Sequence, residues 1–272
     1  MSGIPRRTGA FEHEGESIYF EVVGPEDGAW VVLCHGAGGN HAVWHHQVAA
    51  LAGRYRVLVW DQRGFGMSTN RTGQASPSMA IADMQALATH LGVERAHVVG
   101  QSMGGWAAMG FCLARPGIPR SLTLSDTLAG APVPAWVEGR LIPRAARPEL
   151  GDHPALGPRF READPARALL YQQLGDWGVP AEERMSALSG LLTTTFPVDQ
   201  LAALGSGPLP VTFVVGSDDE IFPPEVVREA AAFVPGAEVV EIDGAGHSPY
   251  FEMPEAYNAV LHRQLARGDA ED

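Results

Sequence analysis

The sequence predicts an α/β chain built on a mostly parallel, doubly wound sheet of about eight strands. Two observations carry this. Short apolar, β-branched runs of the length expected for strands covered on both faces recur along the chain. Amphipathic stretches with helical spacing separate them, so successive strands need right-handed crossovers and helices lie on both faces of the sheet. A third observation adds an insertion. Between residues 128 and 204 the rhythm stops, and Pro132, Pro134, Pro143, Pro148, Pro154, Pro158 and Pro165 replace it.

Taken in order, strands are expected at 18–23, 30–34, 56–60, 96–100, 121–125, 210–215 and 238–242. Helices are expected at 43–51, at 79–91 entered through Ser78 and stopped by Gly92, at 103–114 before Pro116, at 224–234 before Pro235, and at 254–266 with Pro254 in the first turn. Within the insertion only 166–174 and 181–192 read as helical. The expected division is a core of residues 1–127 and 205–272 with a helical cap, 128–204, inserted after the sixth strand. Ligands of such folds bind at the carboxyl ends of the strands.

Composition narrows the chemistry. The 272 residues are 45% hydrophobic, ample for one substantial core, and carry 19 basic against 32 acidic groups for a net charge of −13. That balance argues against nucleic acid and anionic membrane surfaces as partners. All the basic residues are arginine. Without lysine there is no Schiff-base chemistry and no P-loop phosphate ligand. Cys34 and Cys112 are too few and too far apart for a disulfide framework or a zinc site, so no metal and no cofactor is expected. The first fifteen residues hold no apolar signal segment, and no apolar run approaches a membrane span. A soluble, cytoplasmic protein is the expectation, and a homodimer is compatible with it.

The strand at 96–100 runs into Gly100-Gln101-Ser102-Met103-Gly104-Gly105 and then a helix. This is G-x-S-x-G in the strand–turn–helix context that gives it meaning. A turn this sharp strains the serine backbone and requires small residues two before and two after it. The serine oxygen then projects at a helix start, where the dipole favours developing negative charge. Upstream, the strand at 30–34 ends in His35-Gly36-Ala37-Gly38-Gly39, whose backbone N–H groups can point into a site. The N–H groups of Ala37 and Met103 would form an oxyanion hole.

These motifs, with Trp44, Asp61-Gln62-Arg63-Gly64-Phe65-Gly66-Met67-Ser68, Gly216-Ser217-Asp218-Asp219 and Gly244-Ala245-Gly246-His247 in this order, resemble the α/β-hydrolase fold superfamily, in its capped serine-hydrolase branch. The resemblance implies a triad in the order serine, acid, histidine. His247, in a glycine-rich loop after the last strand, is the expected base. The family's acid has a proline about four residues on, which Asp219 matches with Pro223; Asp126, Asp218 and Asp243 stay open as alternatives. His35 takes a structural role, shaping the oxyanion loop. His97 is read as core or sheet surface, His41, His45 and His46 as an exposed helix face without an acidic partner, and Asp61 with Arg63 as a buried ion pair.

The cap's Trp136, Trp177, Tyr171, Phe160, Met185, Leu191 and Leu192 suit a small hydrophobic substrate, with Gly36, Trp44, Gln101, Trp136, Trp177 and Phe222 as candidate binding residues. A serine nucleophile separates the chain from relatives that attack with aspartate. Ser248 and Gln101 stand where the C–C hydrolases that resemble this elbow usually carry Trp and Asn. The leading expectation is hydrolysis of an ester, lactone or thioester through an acyl-enzyme on Ser102. C–C bond hydrolysis, or acyl transfer or cyclisation in the same site, stands second, and a slow-turnover ligand-binding protein third.

Overall fold

The computed structural model describes residues 3–132, 152–177 and 190–270. Its strands form a single sheet in the order β1-β2-β4-β3-β5-β6-β7-β8. They are β1 (Arg6–His13), β2 (Glu16–Val23), β3 (Trp30–Cys34), β4 (Arg56–Trp60), β5 (Ala96–Gln101), β6 (Pro119–Ser125), β7 (Val211–Gly216) and β8 (Glu238–Ile242). β1 and β2 form an antiparallel hairpin, β2 meets β4 antiparallel, and every later pairing is parallel. The predicted α/β class holds. β1 is an addition to the strands expected from sequence. It pairs on one side only and is largely exposed, so its Arg-Arg-Thr-Gly-Ala-Phe-Glu-His sequence carries no apolar run.

The helices are α1 (His45–Leu51), α2 (Pro77–Leu91), α3 (Met103–Ala114), α4 (Pro158–Ala163), α5 (Pro165–Gly175), α6 (Val198–Ser206), α7 (Pro224–Ala231), α8 (Pro249–Glu252) and α9 (Pro254–Asp269). Among the described residues no helix is long and apolar enough to cross a membrane. α2 starts two residues earlier than expected: Ser76, not Ser78, accepts the Met79 N–H, and Pro77 fills the first turn where no N–H is needed. α7 stops short of 234 and α9 runs past 266. Most of the expected helix at 181–192 lies outside the described residues.

Alternate strand residues feed two cores. Val32, Cys34, Leu58, Trp60, Val98, Leu122 and Leu124 pack under α2, α3 and α7. Val31, Leu33, Val57, Val59, Val99 and Val214 pack under α1 and α9. At the amino ends of the strands His97 places Nδ1 2.9 Å from Ser121 Oγ and Nε2 3.1 Å from Asp269 Oδ1. Asp269 also accepts from Tyr55 and Arg54. Burial pushes His97 down to about 4, so the neutral ring fastens α9 to the sheet.

Two expected contacts are rearranged. Arg63 forms a bidentate pair with Asp83 of α2, at 3.0 and 2.8 Å, instead of pairing with Asp61. Asp61 accepts from His41 N at 2.6 Å, from its ring at 2.9 Å and from Met67 N at 2.8 Å. His41 therefore has acidic partners, Asp61 from the loop after β4 and, at 3.4 Å, Glu21 of β2. Burial opposes charge on His41, but these carboxylates overcome it and hold its pKa above the usual imidazole value.

Buried Glu16 fastens the 69–72 turn, accepting from Thr69 Oγ1, Arg71 N and Thr72 N. Burial alone would raise its pKa; the donors outweigh that and hold it at about 2. A depressed folded pKa gives stability that is present above the unfolded value, about 4.5, and is lost as pH falls toward 2. The melting temperature of wild type should exceed that of Glu16→Gln at pH 6, and thermal scans should show the gap closing between about pH 4.5 and about pH 2. A gap independent of pH would refute this role.

Candidate active site

Ser102 stands between β5 and α3 with φ 49° and ψ −121°, backbone angles that L residues rarely adopt. The turn closes because its neighbours lack side chains. A Cβ on Gly100 would lie 2.7 Å from Ala108 Cβ, and one on Gly104 would lie 2.6 Å from His35 O. Ser102 N donates to Ser125 O at 2.9 Å, and Thr127 Oγ1 donates to Ser102 O at 2.7 Å. The adjacent strand thus holds the strained residue from both sides.

Gly36 lies against this turn. A Cβ there would stand 2.9 Å from Ser102 Cβ. Since Gln62 N donates to His35 Nε2 at 3.0 Å, the ring proton sits on Nδ1 and is donated to Gly36 O at 2.8 Å. Burial lowers the His35 pKa, which keeps this neutral tautomer in place. Ala37 follows in the same loop, and Met103 is the first residue of α3.

On the other side, His247 Nδ1 lies 2.9 Å from Asp219 Oδ2, and both residues are buried. Asp219 Oδ1 accepts from Ile221 N at 2.8 Å and Phe222 N at 3.0 Å, so the loop after β7 orients the carboxylate. The Phe222 ring packs 5.5 Å from the imidazole. Gln101 Nε2 donates to His247 O at 2.8 Å. The residue before the serine thereby ties the histidine loop to the elbow.

The alternative acids are placed elsewhere. Asp218 is held by Arg159 at 2.6 and 2.7 Å, and Asp243 meets the same guanidinium at 3.0 Å. Asp126 comes closer: its carboxyl, that of Asp219 and the His247 ring offer atoms within 4.8 Å of one another. Its Oδ1 accepts from Gly216 N and its Oδ2 from Ser125 Oγ. Burial and the nearby Asp219 push the Asp126 pKa up from the usual carboxylate range. The three groups have the composition of a small metal-ligand set. The carboxylate oxygens are already engaged, by Ser125 Oγ and Gly216 N at Asp126 and by Ile221 N, Phe222 N and the imidazole at Asp219, which suits hydrogen bonding better than a cation.

Other predicted residues are not gathered at the serine. Trp44 is wholly buried, its ring 4.5 Å from that of Tyr250, where it packs beneath the histidine loop. Trp177, just past α5, is 65% exposed. Trp136 lies outside the described residues, as does Met185. Glu252 was missed. It is buried and accepts from Gly157 N, Gly246 N and Ser248 N. Its signal was a lone acid inside the apolar run Pro249-Tyr250-Phe251, five residues after His247.

The sequence model of the alpha/beta hydrolase family matches residues 31–260. The chain belongs to that family. It is 31% identical over 253 residues to the Mycobacterium tuberculosis protein that carries the name non-heme bromoperoxidase BpoC, covering 87% of this chain and 93% of that one. It is 25% identical over 269 residues to the pimeloyl-[acyl-carrier protein] methyl ester esterase of Aliivibrio salmonicida, covering 93% and 97%. Among solved structures, the malate-bound thermophilic esterase of Thermogutta terrifontis superposes with a TM-score of 0.78 at 28% identity, covering 97% of this chain and 99% of that one. As a family member the chain is a hydrolase.

Gly36→Ala should force the oxyanion-side loop off the elbow and lower the unfolding free energy by roughly 1–3 kcal/mol in urea titrations. Unchanged stability would mean that the loop has room there.

Proposed function

We propose that this hydrolase cleaves a carboxylic ester, lactone or thioester of a small hydrophobic substrate through an acyl-enzyme on Ser102. The observation that carries the reading is the pairing of a strained, buried serine with a histidine that is linked to it through Gln101 and oriented by Asp219. The esterase names among its relatives support the same reaction class.

In this reading the Ser102 hydroxyl oxygen attacks the substrate carbonyl carbon while His247 Nε2 takes its proton. Asp219, bonded to Nδ1–H, fixes the tautomer and stabilises the imidazolium. The N–H groups of Ala37 and Met103 receive the carbonyl oxygen as it becomes negative. The carbonyl–leaving-group bond then breaks, the leaving group takes the proton from His247, and the acyl group stays on Ser102. Water then attacks the acyl carbon while His247 takes its proton, the Ser102 Oγ–acyl bond breaks, and His247 returns the proton to Oγ as the acid leaves. Residues 128–204 serve as a cap that shields the acyl-enzyme and supplies apolar contacts.

Hydrolysis of a p-nitrophenyl ester series from acetate to octanoate tests the nucleophile. Ser102→Ala should lower kcat/KM by about three orders of magnitude or more. Retained hydrolysis in that variant would overturn the acyl-enzyme.

The same assay separates the two acids. Asp219→Asn should cost about two to four orders of magnitude in kcat. Asp126→Asn keeps the shape and a polar group where Asp126 meets Gly216 N and Ser125 Oγ, and should stay within about threefold of wild type. The reverse ranking would make Asp126 the acid.

A further inference from the structure

We propose that Glu252 is a positioning residue for His247. Its carboxylate grips the backbone on both sides of the histidine and fastens it to the entry of α4. The inference rests on the reading of Ser102 and His247 as the reacting pair.

The geometry is a three-pronged clamp. Glu252 Oε2 accepts from Gly157 N at 2.8 Å and Gly246 N at 2.9 Å, and Oε1 accepts from Ser248 N at 3.0 Å. Gly246 and Ser248 are the two neighbours of His247, and Gly157 is the N-cap of α4. The two chains touch where the carboxylate holds them. A Cβ on Gly157 would lie 2.9 Å from Gly246 N, and one on Gly246 would lie 2.6 Å from Gly157 Cα. The side chain of Ser248 is anchored to the same segment, its Oγ 2.8 Å from the Tyr171 hydroxyl of α5.

Keeping a carboxylate here is costly. Glu252 is 2% exposed, and burial pushes its pKa up to about 7 even though three donors favour the charge, with Asp219 adding to the rise. A buried acid persists at such a place when its hydrogen bonds are needed. Gln101 holds the histidine by its carbonyl and Asp219 holds its ring. The flanking N–H groups belong to Glu252. Together they fix where the imidazole stands, and small misplacements of a catalytic group cost large factors in rate.

Glutamine cannot replace it. An amide has one acceptor oxygen, so Glu252→Gln would turn an NH2 group toward at least one N–H donor. Glu16 supplies the control, because it too is a buried carboxylate accepting three hydrogen bonds, but from Thr69, Arg71 and Thr72 instead of the neighbours of the histidine. Wild type, Glu252→Gln, Glu16→Gln and Ser102→Ala are compared for melting temperature, for kcat and KM on the best p-nitrophenyl ester, and for the low-field proton resonance of His247 Nδ1–H.

Glu252→Gln should lose about ten- to a hundredfold in kcat with KM within about threefold, and should shift or broaden the low-field proton. Glu16→Gln should keep both while losing thermal stability. A Glu252→Gln enzyme with wild-type kcat and an unmoved proton overturns the proposal. So does an equal loss of kcat in Glu16→Gln, which would trace the effect to stability alone. If Glu252→Gln does not fold, Glu252→Asp, which keeps the charge one methylene short, is judged by the same two readouts. Wild-type activity in Ser102→Ala would sink the nucleophile reading instead, and the proton resonance would still decide whether Glu252 positions His247.

Discussion

The structure depends on how closely α3 is pressed against β3 and β5. At Gly100 and Gly104 there is no space for a side chain, because helix and strand meet backbone to backbone. This contact forces Ser102 into its left-handed conformation, which costs of order 1–3 kcal/mol. The helix it begins offsets that cost many times over. Met103 to Cys112 are all buried, including Trp106, Met109 and Phe111, and each large side chain contributes roughly 1.5–3 kcal/mol on burial. Strain at one residue is held in place by an apolar helix that cannot back away from the sheet.

Around the imidazole the chain gathers carboxyl groups with different partners. Asp126 follows β6 and bonds Gly216 N and Ser125 Oγ, Asp219 follows β7 and holds the ring, and Glu252 follows His247 and holds the backbone. Their environments decide their roles. Asp126 spends its two oxygens on Gly216 N and Ser125 Oγ, whereas Asp219 gives one oxygen to main-chain N–H groups and the other to the imidazole. Asp218 and Asp243, in the loops after β7 and β8, are turned outward to Arg159.

Legibility in the sequence followed the physics of each feature. Strands covered on both faces were plain, because every residue of a run such as Trp-Val-Val-Leu-Cys must be apolar. The edge strand β1 was not, since exposure lets it use arginine, glutamate and histidine. The elbow announced itself through glycines that nothing else can replace. Asp219 could be told from Asp218 by the register of Pro223, and the structure gives that choice its reason: Arg159, from a distant segment, occupies Asp218. Pairs such as His41 with Asp61 and Arg63 with Asp83 join separate elements, so neighbours along the chain pointed to the wrong partners. Trp44 and Gln101 were located at the right elements, but their side chains support the histidine loop instead of lining an opening.

The segment that contains α4 and α5 is fastened to the core by more than the grip of Arg159 on Asp218 and Asp243. Asn40 Nδ2 donates to Leu174 O, Arg167 donates to Phe251 O, Tyr171 meets Ser248, and Gly157 meets Glu252. None of these anchors is local in sequence. In chimeras between relatives, residues 152–177 are therefore not an exchangeable module on their own. A graft keeps its geometry when the donor's counterparts of Asn40, Asp218, Ser248, Phe251 and Glu252 travel with it, positions scattered over the chain.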